Sequence, residues 1–170
     1  MRWIPNQSHG RTRGGFTLME TGLATIIIGV GVTAVVQLLA KGTMSNIDGA
    51  DLTTGVNLAN CIHELTFGLN FVDPNQPNNW GPESGETLAT YSHLDDFNGQ
   101  TFSPPIDARR QTLATYNNWS QQVSVTKVDI NRLSTTVPNG TSTPSARVTV
   151  TVLHFGQPVY TESWTITQGQ

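Results

Sequence analysis

An uncharged block of 20 residues, "TGLATIIIGVGVTAVVQLLA" at 21–40, lies between Glu20 and Lys41 and limits what this chain can fold into. With the residues just before it, the apolar segment covers 16–40. A helix of that length, rising about 1.5 Å per residue, crosses a hydrocarbon core of about 30 Å. The segment is also longer than the apolar core of a secretory signal, which has about 7–15 residues. We therefore predict a membrane-spanning helix.

The charges are unevenly distributed. The first 15 residues contain Arg2, Arg11 and Arg13 and no acid, whereas the formal net charge of the whole chain is −3. Because basic residues flank the cytoplasmic side of a span, residues 41–170 are predicted to cross the membrane. The acidic remainder of the chain argues against a general nucleic-acid binder, which needs Lys and Arg against phosphate. No nucleic-acid partner is expected.

Glu20 stands inside the predicted span and needs an explanation. A charge near the centre of a bilayer costs about 2.5–3.5 kcal/mol on insertion scales. The cost falls near the end of a span, where the side chain reaches the interface. One interpretation is therefore that Glu20 is a charge tolerated at a helix end.

The residues around Glu20 give a second interpretation. The sequence "RGGFTLMETG" at 13–22 resembles the processing site of type IV prepilins and type II secretion pseudopilins, in which glycine and phenylalanine precede a glutamate and a long apolar helix. The resemblance implies that a prepilin peptidase cuts between Gly15 and Phe16 and methylates the new N-terminus. Residues 1–15 would then be a cleaved basic leader peptide, somewhat long for the family.

The resemblance also implies a role in assembly for Glu20. In a filament the free amine of Phe16 would be buried among packed helices, where an unpaired charge is costly. Glu20 is expected to neutralise that amine on a neighbouring subunit and so set the register, since it is poorly placed to reach its own terminus. Many pilins have a proline late in this segment, and this chain has none. Whether Gly29 and Gly31 loosen the helix instead stays open.

Residues 41–70 are predicted to continue the helix with an amphipathic face. At 100° per residue one narrow apolar stripe forms, and we expect it to pack on a sheet. Asp51 falls inside the stripe, while Gly42, Gly49 and Gly55 weaken the helix and predict a kink in this region. The stripe consists of Met44, Ile47, Leu58, Ile62, Leu65 and Leu69.

Residues 71–170 are predicted to form a β-rich head. The segments 146–155 and 159–167 alternate in polarity around "GQP" and predict a hairpin. An earlier strand at 121–130 switches face near Lys127, which predicts a bulge or bend. The remaining segments of the head are predicted loops.

The predicted fold class is α+β. A long N-terminal helix, transmembrane in its first half, packs on a small antiparallel sheet of three or four strands. Pilin-like proteins have this architecture.

The predicted loops contain two candidate sites. Asp95, Asp96 and Asn98 in "LDDFNG" offer the hard oxygen ligands that Ca²⁺ prefers. Their spacing is not that of a D-x-D-x-D-G loop, and such residues are also ordinary in turns. His93 near the aspartates, with Ser84, would suit a hydrolase, but the chain lacks a G-x-S-x-G elbow. No catalytic residue and no cofactor other than calcium is expected.

The sequence therefore predicts a pilin-like structural subunit rather than an enzyme. Its expected partners are other pilin or pseudopilin subunits through the N-terminal helix, a prepilin peptidase and an inner-membrane assembly platform. The expected location is the bacterial inner membrane with the head in the periplasm, and then a filament. A secretion pseudopilus and a type IV pilus both remain open, as do a major and a minor subunit. The alternative is a membrane-anchored extracytoplasmic binding domain that does not polymerise.

Overall fold

The computed structural model describes residues 14–73 and 79–168. Most of the expected leader, residues 1–13, lies outside this range. The chain divides into two compact units, Met1–Asn46 and Ile47–Gln170, which are described separately.

Helix α1 covers Leu18–Thr66, and the first unit contains its N-terminal part. Every side chain from 14 to 46 is exposed, including the aliphatic side chains of the uncharged block. Gly29 and Gly31 lie in regular helix, so the helix is not melted there. By length and composition α1 is able to cross a membrane, which is compatible with the predicted transmembrane helix.

In the second unit, the C-terminal part of α1 packs on the sheet through one face. The predicted stripe is correct for Leu58, Ile62 and Leu65, which are buried, whereas Ile47 is exposed. The same face buries Gly55, Ala59 and Thr66. The predicted stripe is therefore too long at its N-terminal end, because the sheet covers only the last turns of the helix.

The sheet has five antiparallel strands, two of which fell in predicted loops. They are β1 (Thr101–Phe102), β2 (Trp119–Asp129), β3 (Arg132–Thr136), β4 (Ser145–His154) and β5 (Gln157–Thr167). The strand order is β1-β2-β4-β5, and β3 pairs with the end of β2. With the helix on this sheet, the α+β prediction is confirmed.

The predicted hairpin is present as β4 and β5. Its turn is one step earlier than expected, because Phe155 and Gly156 have φ of 49° and 75° and Gln157 already pairs with His154. Two central residues with positive φ give a turn whose twist matches the strands. The register shifts between Val152 and Leu153.

The predicted irregularity in β2 is also confirmed. Every second residue of β2 up to Lys127, including Val123 and Val125, is buried on the inner face. Val128 breaks this alternation, because it is buried directly after Lys127. The register with β3 shifts between Val128 and Asp129, one residue beyond the expected position.

Gln121 is a buried polar residue that joins three parts of the second unit. Its Nε2 donates to the carbonyl oxygens of Leu58 in α1, at 2.8 Å, and Ile106, at 3.1 Å. Its Oε1 accepts the backbone N–H of Ile106 at 2.8 Å. One amide side chain therefore connects the helix, β2 and the loop that follows β1.

Two further contacts hold α1 on the β4–β5 hairpin. At Gly55 the helix comes so close to β5 that an added Cβ would lie 2.9 Å from the Cβ of Tyr160. Asp51 Oδ2 lies 2.8 Å from His154 Nδ1, and the imidazole stacks on Trp119 with ring centroids 4.1 Å apart. The acid that interrupts the predicted apolar stripe thus has a partner at the end of β4.

Candidate functional site

The expected processing site lies in a short non-helical segment. Gly14, Gly15, Phe16 and Thr17 precede α1 and are all exposed. A Cβ built on either glycine meets no atom within 4 Å. The peptide bond between Gly15 and Phe16 is therefore free of tertiary packing, as a protease needs.

Glu20 forms a capping box with Thr17 at the start of α1. Thr17 N–H points to Glu20 Oε2 at 3.4 Å, and Glu20 N–H points to Thr17 Oγ1 at 3.3 Å. Such a reciprocal pair satisfies two backbone donors that a helix start leaves free. The T-x-x-E spacing is a sequence signal for this motif, and it was missed.

The capping box changes one step of the sequence argument. Glu20 was expected to be poorly placed to reach its own terminus. In the structure its carboxylate contacts the backbone of Thr17, which is the residue directly after Phe16. Glu20 thus has a role within its own helix, besides the role in assembly that the resemblance implies.

The calcium candidates lie around a short 3₁₀ helix, Asp95–Phe97. Asp95 and Asp96 are completely buried. Asp96 Oδ2 accepts the backbone N–H of Ser92 at 2.8 Å and of His93 at 2.9 Å. Asn98 Oδ1 is engaged elsewhere, because it accepts the N–H of Val125 in β2 at 3.0 Å.

The structure brings two further acids to this place that sequence analysis missed. Glu83 and Glu86 join Asp96, and each of the three offers a carboxylate oxygen within 4.8 Å of the others. We call these three residues the acidic cluster. Glu83 and Glu86 close a turn in which Glu83 N–H donates to Glu86 Oε2 at 2.9 Å. They escaped notice because they lie in a predicted loop, well before the aspartates in the chain.

Burial, a hydrogen bond between carboxyl groups and like charges raise pKa values at the acidic cluster and beside it. Burial raises the pKa of Asp95 to about 6, and the charges of Asp96 and, less strongly, Glu83 add to the shift. A hydrogen bond with the Glu83 carboxyl group raises the pKa of Glu86. Without a cation these groups therefore compete for protons.

Three other residues have ordinary surroundings. His93 Nδ1 lies 2.9 Å from Ser92 Oγ, and it is the backbone of His93, not its ring, that contacts Asp96. Ser84 is exposed in the turn between Glu83 and Glu86. The half-buried Cys61 has a thiol whose pKa is raised by burial, which lowers its reactivity.

No protein-family model, curated protein or solved structure matches this chain. The family resemblance therefore rests on the residues of the N-terminal segment and on the α+β layout.

Proposed function

We propose that this chain is a pilin-like filament subunit, cleaved by a prepilin peptidase and assembled through α1. The observation that carries the proposal is the Gly15–Phe16 junction with Glu20 and the uncharged block in fixed order behind it. The subunit would be inserted in a bacterial inner membrane with residues 71–170 in the periplasm. Its partners would be other such subunits, the peptidase and an assembly platform.

The exposure of α1 supports this proposal. In the isolated chain no side chain of the uncharged block is covered, although most of them are apolar. Such a surface is stable in lipid or against neighbouring helices, and not in water. A filament subunit uses both environments, first the bilayer and then the filament core.

Among pilin-like subunits, the features of the second unit favour a pseudopilin or a minor pilin. Much of the segment between α1 and β2 is loop, and one cysteine leaves no intrachain disulfide. The presence of Glu20 argues against the tip subunit of related secretion systems, which lacks this glutamate.

The second candidate is a membrane-anchored binding domain that does not polymerise. The capping box favours it to some extent, because it explains Glu20 without any neighbouring subunit. This candidate requires only that α1 anchors the chain. This candidate predicts that the precursor stays uncleaved.

Intact mass after co-expression with a prepilin peptidase tests processing. The wild type is expected to lose residues 1–15 and to gain one methyl group, whereas Gly15→Ala should stay uncleaved because the cut requires glycine at that position. Gly14→Ala is the matched control and should be cleaved. Both glycines lie in open space, so neither substitution disturbs packing. A full-length mass for the wild type would contradict the filament proposal.

Glu20→Gln tests whether the charge of Glu20 matters beyond its cap. Glutamine keeps a capping box, since Glu and Gln both serve at this position, but it cannot neutralise an amine. A buried unpaired charge costs several kcal/mol, so we expect filament recovered from cells with the assembly platform to fall roughly tenfold or more.

Glu20→Ala and Thr17→Ala complete this test. Glu20→Ala removes both cap and charge, and Thr17→Ala weakens the cap alone. If Glu20→Gln assembles like the wild type while Thr17→Ala does not, Glu20 acts as a cap, and the pairing between subunits is wrong.

A further inference from the structure

The acidic cluster contains oxygens that lack a hydrogen-bond donor although they are buried. Among residues 14–73 and 79–168, Asp96 Oδ1 and Glu83 Oε1 have no partner. Both oxygens of the neighbouring Asp95 are buried and unpaired in the same way. Buried polar atoms are nearly always satisfied, so such a concentration at one place points to a partner from outside the chain.

The basic residues Lys127 and Arg110 direct their hydrogen bonds to backbone carbonyl oxygens instead of to these carboxylates. Lys127 Nζ donates to the carbonyl oxygen of Asn139 and lies 4.6 Å from the ring centroid of Trp80. Arg110 Nη1 donates to the carbonyl oxygens of Leu88 and Ala89.

The backbone holds the carboxylates in place through one residue of β2. Val125 N–H donates to Asn98 Oδ1, and Val125 C=O accepts from Trp80 Nε1 at 2.8 Å. Trp80 lies three residues before Glu83, and Asn98 lies two residues after Asp96. The site is therefore fixed from both sides before any ion arrives, which lowers the entropic cost of binding.

We propose that Glu83, Glu86 and Asp96 bind a divalent cation, and that this cation is Ca²⁺. The ligand atoms are carboxylate oxygens, which favour Ca²⁺ or Mg²⁺ over zinc or copper. Asp96 is buried, but Glu83 and Glu86 are half-buried, so water completes the shell. Ca²⁺ tolerates such an irregular set, whereas Mg²⁺ demands a near-ideal octahedron.

The bound ion would connect two loop segments that are each also hydrogen-bonded to Val125 in β2. One contains Glu83 and Glu86, and the other contains Asp96. The consequence is a second unit whose loop surface is stabilised outside the cytoplasm, where Ca²⁺ is abundant. This inference does not depend on filament assembly, since it concerns only the second unit.

The test uses the purified full-length chain in detergent, freed of metal with a chelator. Calcium is expected to raise the unfolding temperature, with a Kd of about 10⁻⁴–10⁻³ M by calorimetry, as in extracellular calcium modules. Magnesium at the same concentration should raise the unfolding temperature much less. Glu86→Gln and Glu83→Gln should each weaken calcium binding at least about tenfold, because affinity follows the number of charged ligands.

Glu64→Gln is the matched control, because Glu64 is an exposed acid on α1 away from the acidic cluster. It should bind calcium like the wild type. If the wild type shows no calcium binding at millimolar concentration, or if Glu83→Gln and Glu86→Gln bind as well as it does, the proposal is overturned. A gain of stability in both variants without any effect of calcium would also overturn it, since the substitutions would then only relieve repulsion between carboxylates that hold no ion.

Discussion

Replacing Gly55 by alanine is expected to destabilise the second unit by about 1–3 kcal/mol, the usual cost of an overpacked interface. The added Cβ would lie 2.9 Å from Tyr160 Cβ, a distance that real side chains do not tolerate. Tyr160 Cβ cannot turn away, because it is fixed to the backbone of β5. Either α1 or β5 must therefore move. Urea unfolding of the full-length chain in detergent, followed by tryptophan fluorescence, measures the effect.

Gly49→Ala gives the control, because it is the same change in the same helix. A Cβ at Gly49 meets nothing within 4 Å. Alanine favours a helix over glycine by up to about 1 kcal/mol, so this variant should be more stable than the wild type. The two substitutions thus have opposite expected signs. Equal stabilisation by both would show that α1 does not approach β5 as closely as described.

Gln121→Leu is expected to cost about 2–4 kcal/mol, because it leaves buried backbone groups without partners. Ile106 would lose a partner for its N–H and for its C=O at once, and Leu58 would lose one for its C=O. Leucine fills a similar volume, so the loss is one of hydrogen bonds rather than of packing. The same urea titration measures the change in free energy.

Gln122→Leu is the control for this experiment. Gln122 is the next residue of β2, has the same side chain and points to the exposed face. Its replacement should change stability by no more than about 0.5 kcal/mol. A similar loss in both variants would mean that the cost lies in the strand itself, and the buried amide network would be wrong.

The sequence predicted those elements whose side chains alternate or cluster by polarity. The valines of β4 and the inner face of β2 show period two, and the apolar block shows a long helix. Strand β3 has no such signal, because every one of its residues is exposed. Strand β1 is too short, with two residues, to show any period.

The candidate site was less predictable, for a physical reason. Asp95 and Asp96 were noticed because they are neighbours in the chain. Glu83 and Glu86 meet them only through the path of a loop, which Trp80 and Asn98 fix on Val125. A pattern within one segment cannot contain contacts of this kind. Gly55 is a similar case, since a glycine that weakens a helix and one that lets a strand approach look alike in sequence.

The burial of Lys127 makes the folded chain behave towards amine reagents as if it had one lysine. Lys41 and Lys127 are the two lysines of the sequence, and only Lys41 is exposed. The Lys127 amine lies over an indole ring and donates to a carbonyl oxygen. Apart from the α-amine, an amine-selective dye would therefore attach at Lys41, directly behind the uncharged block. A distance probe can thus be placed there without changing a single residue.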